Sequence, residues 1–275
     1  MNAIQQTLLT LRSQQRCALI PFIMGGDPDL ETSARLIEAL ADAGAEMIEV
    51  GVPFSDPIAD GPFNQAAAER ALAAGASLSA LLDMLTRLKR RRPDLPPLIL
   101  FSYANPLLQL GFEQLCARAV EAGIAGLLGV DLPSEEAQPY QALARQAGLG
   151  WVGLGWVGLV APTTAPERLP AIISSASGCL YYIARAGFTG VQQQLSQSLA
   201  DELRQLKART DRPVIVGFGV STPEQVASLA PQADGVVVGS ALVQCVASAS
   251  QNGENPVEKL RLKYMRLRYG LIKNF

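Results

Sequence analysis

Histidine is missing altogether from this 275-residue chain, and no other feature of the composition removes as much chemistry. Without an imidazole there is no Ser-His-Asp or Cys-His arrangement to activate a nucleophile, and most transition-metal sites lose their commonest ligand. Cysteine is scarce as well. Cys17, Cys116, Cys179 and Cys245 are scattered, with no CxxC pair, so zinc has no ligand set and the four read as reduced core thiols. Charge is sparse and nearly balanced, with 23 Lys+Arg against 25 Asp+Glu, so no broad basic field is offered to nucleic acid or an anionic membrane. The basic cluster from Arg87 to Arg92 reads as a solvated helix end interacting with its dipole. No apolar run is long enough to span a bilayer. The N-terminal MNAIQQTLLTLRSQQR is amphipathic and has no secretory apolar block, so a cytoplasmic location is expected. Carboxylates and backbone amides are left to carry any chemistry.

What is present is an apolar α/β chain. At 49% hydrophobic residues it can bury a large core, and with no linker or low-complexity break the whole of 1–275 is expected to form a single domain. After a first helix, the strand CALIPFIM ends in a Gly-Gly-Asp-Pro turn, a helix follows over Leu30 to Ala43, and a second strand carries Glu49. The alternation continues through helix Leu78 to Arg91, strand Leu98 to Tyr103, helix Glu113 to Ala122, strand Leu127 to Asp131 and helix Glu135 to Ala147. A strand ending at Ala161-Pro162, helix Pro166 to Ser174, strand CLYYIARAGFTG, helix Gln194 to Thr210, strand PVIVGFGVS, a short helix from Pro223 and strand DGVVVGSALV complete it. Eight such units predict a (β/α)8 TIM barrel with an extra N-terminal helix, and a doubly wound open sheet is the alternative.

In a barrel of this kind the C-terminal strand ends carry the site. The polar residues gather there: Glu49, Asp60, Tyr103 with Asn105, Asp131, Thr163, Arg185 and Thr189. Alternation places Met47, Glu49 and Gly51 on one face of their strand, with Ile48 and Val50 on the other. Glu49 is thus a carboxylate inside an apolar strand, where poor solvation raises its pKa toward the range useful for proton transfer. From the residues alone it reads equally as an ion-paired structural acid, and Asp60, in Asp-Gly-Pro, equally as turn chemistry. The turns Gly217-Phe218-Gly219-Val220-Ser221 and Gly239-Ser240 follow the last two strands. There, backbone N–H groups at helix starts can cradle a phosphate without Lys or Arg.

The segments IEVGVPFSDPIADGP, SYANP, VAPTT, GFTG, GFGVSTPEQV and VVGSALV, in this order between Ala18 and Val246, resemble the tryptophan synthase alpha subunit family. The resemblance implies a lyase that cleaves indole-3-glycerol phosphate to indole and glyceraldehyde 3-phosphate, working as a heterotetramer with a beta subunit. It implies no cofactor in this chain, with pyridoxal phosphate confined to that partner. By position, Glu49 corresponds to the general acid/base and Asp60 to the acceptor of the indole N–H. Phe22, Leu128 and Tyr181 correspond to the indole lining. Tyr103 joins the substrate-binding set, Gly190, Gly219, Gly239 and Ser240 form the phosphate site, and Thr189 lies in a closing loop. Asp56, Pro57 and the Tyr103–Asn105 loop mark the face expected to dock the beta subunit. Two other functions remain open: an alpha-like subunit that only activates its partner, and another phosphosugar lyase or isomerase on the same barrel.

Four departures stand out. Phe63 replaces the usual Thr, ARAGFTG replaces SRxGVTG, and the tail KLRLKYMRLRYGLIKNF is unlike the usual ending. The fourth is LGWVG, which occurs twice in succession, at Leu149–Gly153 and Leu154–Gly158. Five is odd, so a continuous strand through both copies would turn every later side chain to the opposite face. The second copy is expected to form the strand and the first to fall in the preceding connection.

Overall fold

The computed structural model describes residues 1–133, 135–140, 155–183, 197–217 and 219–272. Its strands are β1 Ala18–Met24, β2 Ile48–Gly51, β3 Leu98–Ser102, β4 Ile124–Gly129, β5 Gly155–Trp156, β6 Gly158–Val160, β7 Leu180–Ile183, β8 Val214–Gly217 and β9 Gly235–Val238. All pairings are parallel, in the order β5-β4-β3-β2-β1-β9-β8-β7-β6. The two ends of that order are neighbours in sequence, because β5 pairs with β4, β6 pairs with β7, and Val157 alone separates them. The Val157 N–H donates to Leu127 O at 3.2 Å and the Gly158 N–H to Cys179 O at 3.1 Å. The two pieces are therefore one strand, and the sheet closes into an eight-stranded barrel, which rules out the open doubly wound alternative.

Every residue of β1, β2, β4, β8 and β9 is buried, as expected for strands with the barrel bore on one face and helices on the other. The core divides accordingly. Ile48, Val50, Leu98, Leu100 and Leu127 pack under the helices, whereas Ile20, Phe22, Met47, Ile99, Leu128, Ile215 and Val237 fill the bore. The alternation read along Glu46 to Gly51 is the one observed.

The extra N-terminal helix, Ala3–Ser13, buries Ile4, Leu8 and Leu11 against the bore residues. Arg12 holds it there, donating from Nε to Asp234 Oδ1 at 2.8 Å and from Nη2 to Oδ2 at 2.7 Å. Asp234 directly precedes β9, so this helix covers the N-terminal end of the barrel and leaves the other end for the site. The unusual C-terminal tail forms the helix Pro256–Ile272. Leu260, Tyr264 and Leu267 are fully buried, and the Tyr264 hydroxyl donates to Leu19 O at 3.0 Å.

Helices Pro62–Ala73 and Ala104–Leu110 were not anticipated. The first carries an alanine-rich stretch with a weak apolar stripe, and the second begins at Tyr103, where a loop was expected. The fourth strand starts at Ile124, earlier than Leu127. The second LGWVG copy does form strand; the first lies outside the described residues, as does most of the helix expected over Glu135 to Ala147. The four cysteines are free, with Cys17, Cys116 and Cys179 buried and Cys245 partly so. Among the described residues no single helix is long and apolar enough to cross a membrane.

Candidate active site

Glu49 sits in the bore between Phe22 of β1 and Ile99 of β3, its register partners. It is 1% exposed, and its Oε1 has no hydrogen-bond partner among the described residues. Burial lifts the carboxyl from near 4.5 to about 8, because an anion there would lose its hydration with no cation in return. The ion-pair reading of Glu49 therefore fails: no salt bridge reaches it among the described residues. Gly51 makes room for the Phe22 ring beside it, since a Cβ there would stand 2.7 Å from that ring. Phe22 meets Phe101 edge-on, with centroids 5.3 Å apart. Across the bore, burial and then the charge of Glu49 push the Tyr181 hydroxyl well above its ordinary pKa.

Asp60 lies on the loop that follows β2, and two donors hold it, one to each oxygen. The Tyr103 hydroxyl donates to Oδ2 at 2.9 Å and Asn64 Nδ2 to Oδ1 at 3.2 Å. Burial raises this carboxyl, while the bonds from Asn64 and Tyr103 pull the other way. The loop itself is pinned by Gln65, whose Nε2 donates to Asp60 O at 2.9 Å, and by the Ala59 N–H, which donates to the Tyr103 hydroxyl at 3.0 Å. A part-buried ion pair anchors the following helix: Arg70 grips Asp27 at 2.9 and 2.8 Å from Nε and Nη2. Asn64, Gln65 and the Asp27–Arg70 pair escaped the sequence reading. The one available signal was spacing, since Asn64 lies one helical turn beyond Asp60.

The remaining residues divide. Phe22 and Leu128 are buried in the bore, with Tyr181 partly buried beside them. Tyr103, expected to touch substrate, is 2% exposed with its hydroxyl already bound to Asp60 and Ala59, and it stands at the N-cap position of the helix Ala104–Leu110 without a side-chain capping bond. Asp131 accepts the Ala104 N–H at 2.6 Å. Gly239 is the N-cap of the helix Ser240–Gln251, and no side chain caps that end, so its first N–H groups are available to an anion. Phe22 lies 3.6 Å from where a Gly239 Cβ would be, which places this helix start beside the bore. Gly219 has φ of +70°, a left-handed conformation that glycine adopts without strain. The next helix start is already occupied: Gln225 Oε1 accepts the Ser221 N–H at 2.8 Å and the Thr222 N–H at 3.2 Å. Thr189, Gly190 and Arg185 lie outside the described residues.

A closed parallel barrel with a buried carboxyl in its bore, a second one clamped at its C-terminal mouth and an uncapped helix start beside the bore defines an α/β-barrel enzyme of the acid/base class. Comparison with known proteins narrows the class. The family model for the tryptophan synthase alpha chain matches residues 8–270. The tryptophan synthase alpha chain of Gloeobacter violaceus is 47% identical over 251 residues, 90% of this chain and 87% of that one. That of Gluconacetobacter diazotrophicus is 46% identical over 243 residues, 88% and 86% of the two chains. The crystal structure of tryptophan synthase subunit alpha from Legionella pneumophila superposes with a TM-score of 0.89 at 36% identity, covering 99% of both chains. The chain belongs to the tryptophan synthase alpha chain family. Its activity is that family's lyase reaction, cleavage of indole-3-glycerol phosphate to indole and glyceraldehyde 3-phosphate in tryptophan biosynthesis.

Proposed function

We propose that Glu49 and Asp60 carry this cleavage. The observation that supports it most strongly is the buried Glu49 carboxyl, whose Oε1 has no partner among the described residues and whose pKa is near 8, protonated at neutrality and one step from ionising. It gives its proton to C3 of the indole ring. The ring becomes a cation, and Asp60 accepts the ring N–H and offsets the charge. The Glu49 carboxylate then takes the proton of the glycerol hydroxyl as the C–C bond breaks. Indole and the aldehyde result and Glu49 is protonated again, so no metal, cofactor or water is consumed.

Phe22, Leu128 and Tyr181 supply the apolar wall for the ring. The phosphate is received by the uncapped helix start at Gly239-Ser240 together with Gly219, and by Thr189-Gly190 in the closing loop, which excludes water. The chain needs no cofactor of its own. Its partner is a beta chain, in an α2β2 assembly that holds pyridoxal phosphate in the beta subunit, in the cytoplasm. The docking face is the mouth around Asp56, Pro57 and Tyr103–Asn105, where Ile58, Phe63 and Leu108 expose apolar surface at 86%, 46% and 41%.

The test is turnover of indole-3-glycerol phosphate. Glu49→Gln should fold normally and lose roughly 10²- to 10⁴-fold in kcat, and Asp60→Asn should be comparably impaired. A wild-type chain that binds a beta chain in gel filtration yet cleaves nothing would instead make it an activating subunit alone.

A further inference from the structure

Asn64 is half-buried in the first turn of the helix Pro62–Ala73, and its two polar atoms have opposite situations. Nδ2 donates to Asp60 Oδ1 at 3.2 Å. Oδ1 is buried with no partner, one of two such side-chain atoms among the described residues, the other being Glu49 Oε1. A buried unmet acceptor is destabilising, and an apolar side chain at this position would avoid it. The amide cannot turn over to relieve the cost, because its oxygen would then face the carboxylate oxygen of Asp60. The fold tolerates an orphaned atom here in order to keep a donor on Asp60.

We propose that Asn64 is a positioning residue for the cleavage, holding the Asp60 carboxylate aimed and able to accept the ring N–H, while Tyr103 holds the second oxygen. This rests on the role of Asp60 given above. Among the described residues no arginine or lysine pairs with Asp60, so these two neutral donors are what favours its charged form against burial. The other acids of the mouth are separately engaged or apart: Asp56 with Ser55, Asp131 with the Ala104 N–H, and Glu49 inside the bore. Tyr103 is the titratable group bonded to Asp60, and burial followed by the charge of Asp60 keeps it protonated.

The test compares Asn64→Leu and Asn64→Gln with wild type, using the full chain with and without a beta chain, from pH 5.5 to 9. Asn64→Leu should be as stable as wild type or more so, because the orphaned acceptor is gone. Its kcat should nevertheless fall, most at the acid end of the range, with the ratio to wild type recovering as pH rises, since losing one donor moves the acid limb to higher pH. Asn64→Gln keeps the donor and should return the limb to its wild-type position. An unmoved acid limb in Asn64→Leu, or a loss equal at every pH, overturns the proposal. Asp60→Asn run alongside separates the two ideas: full activity in that variant removes Asp60 itself, whereas an inactive Asp60→Asn with an unmoved Asn64→Leu limb removes Asn64 alone.

Discussion

The Tyr103 hydroxyl donates to Asp60 at 2.9 Å while the same oxygen accepts the Ala59 N–H at 3.0 Å, so one phenol fixes both the acid and the loop that carries it. Tyr103 stands at the end of β3 and Asp60 beyond the end of β2, and adjacency of these strands is what lets them meet. Its ring is held independently, against Phe54 with centroids 5.3 Å apart. Tyr103→Phe should therefore keep the ring packing and the fold. The Ala59 N–H loses its acceptor and Asp60 a donor, so kcat/KM should drop about 3- to 30-fold, most at low pH. A pH-rate profile identical to wild type would confine Tyr103 to packing.

Glu49 makes a stability prediction with a definite sign. Its folded pKa is about 8 against an ordinary value near 4.5, so between those pH values the folded chain holds a proton that the unfolded chain has lost. Stability must then fall as pH rises through this window, with the penalty fully present above about pH 8. Glu49→Gln does not titrate, so its advantage over wild type in urea denaturation should grow by about 2–4 kcal/mol from pH 4.5 to pH 9. A constant difference across that range would mean that Glu49 is solvated.

Asp234 carries the opposite sign. Burial raises its pKa, but the bond from Arg12, the Val214 N–H and the charge of Lys207 together bring it below the ordinary value. Its contribution is therefore present at neutral pH and lost as pH falls below about 4. Asp234→Asn should lower stability by about 2–4 kcal/mol at pH 7, loosen the N-terminal helix, and leave kcat nearly unchanged because it lies at the far end of the barrel. Equal stability of variant and wild type at pH 7 would show the pair with Arg12 to be idle.

Gly217 and Tyr181 cannot both carry bulk. A Cβ on Gly217 would fall on the Tyr181 hydroxyl and lie 2.9 Å from its Cζ. Gly217→Ala should cost about 1–3 kcal/mol and raise KM by displacing a wall of the indole site. Adding Tyr181→Phe removes the worst clash, so the double variant should regain part of the loss in stability. Independent, additive effects would place the two side chains out of contact.

The repeated LGWVG yields a deletion test. Since the second copy forms β5 and the start of β6, removing residues 149–153 should leave the closing strand intact, with activity preserved and the melting temperature equal or higher. Loss of activity on that deletion would mean that both copies are needed.

Sequence by itself determined the architecture, the position of Glu49 and the direction it faces. Those depend on local periodicity, which is written into consecutive residues: alternation in a strand sets which side chains enter the bore, and glycines mark the turns at the strand ends. It also indicated that the second LGWVG copy is strand, because that copy runs directly into Val160-Ala161-Pro162 at the strand's end. Tertiary structure decided what each acid can do. Glu49 read equally as an ion-paired acid until closure of the barrel surrounded it with Phe22, Ile99 and Tyr181 and left it no cation among the described residues. Asp60 read as a turn residue until β2 and β3 came together and the helix after Pro62 began where it does, bringing Tyr103 and Asn64 onto its two oxygens. A pKa is set by everything that surrounds a group in space, and most of what surrounds these two carboxyls is contributed by residues far away in the chain.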